Sequence, residues 1–155
     1  MRGRFSKFVP RLFYYGERKF QCREFTKKSG IVPTDFWERT DTSISKRELK
    51  ERLGEIQIVD VREPSEVIHT GEIHETALNL PLNYILEGAL GMEEEEFFEE
   101  FGFEKPNPEM DCVFVCKAGV RSRLAQQHAR ECYEFKSALN YLGGADEWFS
   151  FKDTQ

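Results

Sequence analysis

The sequence predicts an α/β domain built on a parallel sheet with helices on both faces, and three observations carry that expectation. Apolar runs of strand length alternate along the chain with helical patterns. Two of the runs, Ile56-Gln57-Ile58-Val59-Asp60-Val61 and Cys112-Val113-Phe114-Val115, are almost continuously apolar, as strands covered on both sides are. Gly54, Pro81 and the pair Pro106 and Pro108 fall between the runs and punctuate them.

The elements follow in order. Residues 29–41 read as a linker. Ser45 with Glu48 three residues later is a capping-box pattern, so a helix starts there. Leu49 and Leu53 lie one turn apart on it, and Gly54 ends it. The run 56–61 is the next strand. Pro64 to Ile68 is a short helix with proline in its first turn. Ala77 to Leu80 is a short strand that Pro81 closes. Leu82 to Leu90 is predicted as one short helix, and Glu93 to Phe101 as another with an acidic outer face, where Phe97 and Phe101 sit one turn apart. A loop through Pro108 leads to the strand 112–116 and then to a helix running to about Lys136. Ala138 to Leu142 is the last strand, and Ala145 to Phe151 the last helix.

At 155 residues the chain suits one domain with a substantial core. Its 14 Phe argue for a folded globule despite 32% charged residues. No stretch approaches the ~20 apolar residues of a membrane span, so no membrane association is expected. Residues 1–28 hold nine Lys or Arg and two acids, a charge of +7; the whole chain is −6, which leaves −13 on residues 29–155. A basic, acid-poor start interleaved with Phe5, Phe8, Leu12, Phe13 and Tyr14 has the character of a mitochondrial transit peptide and lacks the compact apolar core of a secretory signal. The expected division is a basic leader and linker over 1–40 and the folded domain over 41–155, located in the mitochondrial matrix, or in the cytoplasm if the leader is only a basic tail or a nucleic-acid arm. The acidic body argues against nucleic acid as the main partner.

The most informative stretch is Cys116-Lys117-Ala118-Gly119-Val120-Arg121-Ser122. It reads as strand, tight loop, helix, with a cysteine at the strand end. Loop amides ahead of a helix point at whatever that sulfur carries, and the helix dipole adds positive potential. Both favour the thiolate, which is the nucleophilic form. Lys117, Arg121 and Arg123 add local positive charge. Gly119 lets the backbone turn and approach closely, and Ala118 leaves room. Lys117 and Arg121 are candidate anchors for an anionic substrate, and Ser122 is a candidate helix cap or loop donor. Cys-x4-Arg is one residue shorter than the Cys-x5-Arg loop of cysteine phosphatases, and better sized for a single sulfur atom.

Cys112 shares a strand face with Cys116, too far along the strand to bond to it. The four cysteines include no Cys-x2-Cys pair, and no histidine stands at finger spacing, so neither structural zinc nor a disulfide framework is expected, and a reducing compartment fits. Cys112 and Cys132 read as core. Asp60 and Arg62 read as a structural pair that supports the loop, and His128, Tyr141 and Trp148 as packing residues.

These pieces together resemble the single-domain rhodaneses, the thiosulfate sulfurtransferases. Alongside the Cys-x-x-Gly-x-Arg-Ser loop, Ile58 to Glu63 with Glu66 resembles the family's Asp-x-Arg strand and turn. Gly71-Glu72-Ile73 followed by Ala77 to Pro81 resembles its Gly-His-Ile-Pro-Gly-Ala-x-Asn-Ile-Pro stretch, and Tyr141 to Trp148 its closing Gly-Gly-x-x-x-Trp. The likeness spans roughly residues 41 to 151 and is nearest the small thiosulfate:glutathione type. His74-Glu75-Thr76 departs from the pattern as a longer, more polar segment, expected to be a surface turn. The resemblance implies a rhodanese-like fold, with a central, mostly parallel five-stranded sheet. It also implies a monomer without metal or cofactor that works through a Cys116 persulfide. A small sulfur donor such as thiosulfate would load it, and glutathione, thioredoxin or cyanide would take the sulfur. A non-catalytic partner-binding module, a phosphatase or arsenate reductase, and a sulfur carrier for biosynthesis are the other readings of this fold.

Overall fold

The computed structural model describes residues 42–150; the leader and the linker lie outside them. Five strands form one sheet in the order β1-β5-β4-β2-β3, every neighbouring pair parallel. They are β1 (Ser43–Ile44), β2 (Gln57–Asp60), β3 (Leu78–Asn79), β4 (Cys112–Val115) and β5 (Ala138–Tyr141). Six α-helices connect and cover them: α1 (Lys46–Glu51), α2 (Pro64–Thr70), α3 (Leu82–Leu86), α4 (Glu94–Phe101), α5 (Val120–Tyr133) and α6 (Gly144–Trp148).

Strand alternation divides the core between the two faces of the sheet. Val59, Cys112, Phe114 and Cys116 point to one face, where Ile85 of α3, Phe97 and Phe101 of α4, and Ala125 and Ala129 of α5 cover them. Ile58, Val113 and Val115 point to the other, under Leu49 of α1 and Ala145 of α6. The central strands β2 and β4 are thus enclosed on both sides, which is why their sequences read as nearly unbroken apolar runs.

Local signals set the element ends. Ser45 caps α1 through a complete capping box with Glu48. Glu63 and Glu66 form the same box at the start of α2, with Pro64 just inside it. The stretch expected as one helix over Leu82 to Leu90 is two pieces. Gly88, at φ +107, breaks it, and a 3-10 turn over Ala89–Gly91 follows. α5 stops at Tyr133, short of Lys136, because Glu134 adopts the left-handed conformation at φ +61. The polar segment His74-Glu75-Thr76 is a surface turn in which His74 Nδ1 lies 2.8 Å from Thr76 Oγ1.

Candidate active site

β4 runs through the middle of the sheet, and its carboxyl end opens where parallel α/β sheets commonly bind their ligands. Cys116 is the first residue past the strand, and α5 begins four residues later, at Val120. The turn between them is therefore very tight. Gly119 makes it possible at φ +82, a conformation other residues rarely adopt, and a Cβ there would lie 2.4 Å from the Leu142 carbonyl oxygen.

The turn aims two donors at one sulfur. The Gly119 backbone N–H donates to Cys116 Sγ at 3.0 Å, and the Ser122 hydroxyl donates to it at 3.2 Å. Ser122 is fully buried, so its hydroxyl faces the sulfur without competition from solvent. Of the two roles expected for Ser122, the hydroxyl takes the loop donor's. Cys116 itself is 1% exposed. Lys117 and Val120 lie at the surface of the loop.

The loop is braced from the C-terminal side of the sheet. The first turn of α6 donates from Ala145 N–H to the Cys116 carbonyl at 2.8 Å and from Asp146 N–H to the Lys117 carbonyl at 3.0 Å. Gly144 admits this close approach, because a Cβ there would fall 2.3 Å from the Lys117 carbonyl oxygen. Asn140 of β5 donates from Nδ2 to the Gly119 carbonyl at 3.1 Å, which ties the turn to the neighbouring strand. The buried Asn140 Oδ1 has no hydrogen-bond partner, a state that costs about 1–3 kcal/mol for a group of this kind. Neither residue stood out in the sequence as part of the site. The signals were there, in a lone amide inside a buried strand and a glycine doublet directly after it.

Asp60 and Arg62 form a buried ion pair, 2% and 1% exposed at the side chains. Arg62 Nε donates to Asp60 Oδ1 at 2.9 Å and one terminal nitrogen to Oδ2 at 2.6 Å. The remaining donors reach the end of α2, at Thr70 Oγ1 (2.7 Å) and the Gly71 carbonyl (3.0 Å). None of these bonds touches the cysteine loop. Their effect passes through α2, which carries Glu66.

Glu66 meets the loop directly. The two terminal nitrogens of Arg121 donate to its two carboxylate oxygens, each at 2.7 Å, in a fork-to-fork pair. Those hydrogen bonds, helped by the Glu63 N–H, hold the Glu66 carboxyl down at about 2 although partial burial opposes the shift, and they raise Arg121 in turn. The arginine expected to anchor a substrate thus already carries a protein carboxylate.

The other candidates lie apart from this centre. Cys112 is fully buried four residues before Cys116, and burial pushes its thiol far above the ordinary range. His128 is half-buried on α5, its ring 5.6 Å from that of Tyr133, and burial lowers its pKa. Tyr141 packs edge-to-face on Trp148 and donates its hydroxyl to Glu147 at 2.6 Å. Cys132 is half-buried on α5, its Sγ 3.7 Å from His128 Nδ1.

A parallel α/β sheet with a cysteine on a tight strand-to-helix loop defines a class of domain, and the comparisons identify which. The rhodanese-like domain family matches residues 45–150, so the chain belongs to that family. It is 39% identical over 93 residues to the mitochondrial thiosulfate sulfurtransferase RDL2 of Saccharomyces cerevisiae, covering 60% of each chain. It is 36% identical over 115 residues to the mouse thiosulfate sulfurtransferase/rhodanese-like domain-containing protein 3, covering 73% of this chain and 71% of that one. The human single-domain sulfurtransferase TSTD1 superposes with a TM-score of 0.63 at 35% identity, over 69% of this chain and 94% of the human one. The match thus spans about three fifths of the yeast relative's length. All three of these relatives are named as sulfurtransferases.

Proposed function

We propose that the protein moves sulfane sulfur from thiosulfate, or a donor like it, to a thiol or cyanide acceptor by way of a Cys116 persulfide. The observation that carries this reading is the pair of donors, Gly119 N–H and Ser122 O–H, converging on the Cys116 sulfur. The thiolate attacks the outer sulfur of thiosulfate. A new S–S bond forms at Cys116, the donor's S–S bond breaks, and sulfite leaves with the electron pair. An acceptor thiolate or cyanide then attacks the outer persulfide sulfur, and the Cys116 thiolate is regenerated. Splitting one transfer into two displacements in this way is covalent catalysis.

The residues have distinct parts. The N–H and hydroxyl donors at the sulfur solvate the negative charge that returns to it at each turnover. Lys117, on the exposed side of the loop, offers a cation to an anionic donor. Gly119, Asn140 and Gly144 hold the turn in shape, and Asp60 with Arg62 fixes α2 and hence Glu66. All the groups this chemistry needs are side chains and backbone amides of the chain itself, and the sulfur is carried covalently. The basic leader and the mitochondrial relatives support a place for the protein in the mitochondrion.

Sulfite release from thiosulfate in the presence of glutathione tests the reading. Steady release by the wild type and none by Cys116→Ser is the expected result. Equal release by both proteins would rule it out.

A further inference from the structure

The loop carries two cations, Lys117 and Arg121, and they stand in different states: Lys117 is exposed, whereas Arg121, in the first turn of α5, is engaged. Both of its terminal nitrogens are already bound to Glu66. Glu66 is itself held in place on a second side. Its Oε2 accepts from the Glu63 N–H at 2.8 Å, and its helix is tied down through Thr70 and Gly71 to the buried Arg62. The planar fork that would match the oxygens of an oxyanion therefore already carries one carboxylate of the protein.

On the sulfurtransferase reading above, we propose that Glu66 is a specificity-determining residue, which occupies Arg121 and so disfavours donors whose leaving group is an oxyanion relative to organic hydropersulfides. Thiosulfate presents three oxygens next to the S–S bond that breaks, and to use Arg121 it has to displace Glu66. A hydropersulfide, R–S–S⁻, presents carbon and sulfur there instead. Cys116 thiolate takes its outer sulfur, the donor's S–S bond breaks, and RS⁻ leaves with the electron pair, so no oxyanion needs a fork. The carboxylate stays ionised throughout the neutral range, because Arg121 depresses its pKa. Competition from Glu66 is thus a fixed feature of the site at working pH.

The test compares the two donors on one enzyme. Rates of Cys116 persulfide formation are measured with thiosulfate and with the hydropersulfide of 2-mercaptoethanol, for the wild type, Glu66→Gln and the double variant Glu66→Gln/Arg121→Gln. Glutamine keeps the size of Glu66 and removes its charge. The expected result for Glu66→Gln is a KM for thiosulfate lower by about tenfold, the worth of one charge-assisted pair, with kcat little changed. The KM for the hydropersulfide stays where it was. The double variant loses the gain, because the effect acts through Arg121. An unchanged or higher KM for thiosulfate in Glu66→Gln, a parallel change with both donors, or a gain that survives in the double variant would each overturn the proposal. A wild type that forms no Cys116 persulfide with either donor would instead overturn the sulfurtransferase reading itself.

Discussion

Cys112 and Cys116 stand four residues apart, pack into the same core cluster on one face of the sheet, and are 0% and 1% exposed. Sheet face and burial do not separate them. Their neighbours do. Cys112 sits inside β4 among apolar side chains, and desolvation alone drives its thiol toward the neutral form. Cys116 sits one residue past the strand, where the chain turns into α5 and brings an N–H and a hydroxyl to the sulfur. On the proposed reading, the nucleophile is set apart by the turn after it, and that turn is shaped by Gly119, Asn140 and Gly144.

Exchange of the two cysteines is the strongest way to break that comparison. Cys116→Ser removes the nucleophile and should lower sulfite release at least about a thousandfold. Cys112→Ala should leave the rate per folded molecule close to wild type, since nothing in the mechanism uses that thiol. Comparable losses in both variants, with the fold intact by circular dichroism, would erase the distinction.

The buried pair gives the next effect, on stability. Arg62→Met removes the guanidinium that pairs with the buried Asp60, which should cost about 3–5 kcal/mol in urea unfolding. The same variant should keep its sulfur chemistry per folded molecule more nearly than Cys116→Ser, because Arg62 makes no contact with the cysteine loop.

Ser122→Ala sharpens the comparison within the site. It leaves the nucleophile and removes one of its two donors. The expected loss is about a hundredfold in kcat with thiosulfate, as for other single donors aimed at developing charge. An unchanged kcat would assign the whole effect to Gly119.

The smallest effect is a pH dependence of stability. The folded-state pKa of Glu66 lies at about 2, below its ordinary 4.5, so its contribution is complete above pH 4.5 and is lost as pH falls toward 2. Melting temperatures of wild type and Glu66→Gln should therefore differ by a constant amount at neutral pH and converge between those two values. A gap that stays constant to the lowest pH would mean that the carboxylate gains nothing from Arg121.

What the sequence disclosed follows the same local rule. β2 and β4 were legible because burial on both faces forces continuous apolar runs, and α1 because Ser45 and Glu48 are three residues apart. The cysteine loop was legible because a cysteine at a strand end, a tight turn and a helix start are contiguous. β1 was not, since two residues, Ser43 and Ile44, cannot display a period. The break at Gly88 was hidden because a glycine within an apolar stretch reads equally as a tolerated helix residue. The pairing of Glu66 with Arg121 spans 55 positions and joins two motifs that each looked complete alone. Asn140 gave only a polar letter in an apolar run. Contacts between distant segments leave such faint marks, and these contacts shape the loop.

The most direct test of the central claim is the intact mass of the purified protein after incubation with thiosulfate without reductant, beside Cys116→Ser and Cys112→Ala. A gain of one sulfur atom in the wild type and in Cys112→Ala, absent from Cys116→Ser, is the predicted result. No gain in the wild type, or a gain that persists in Cys116→Ser, would contradict it.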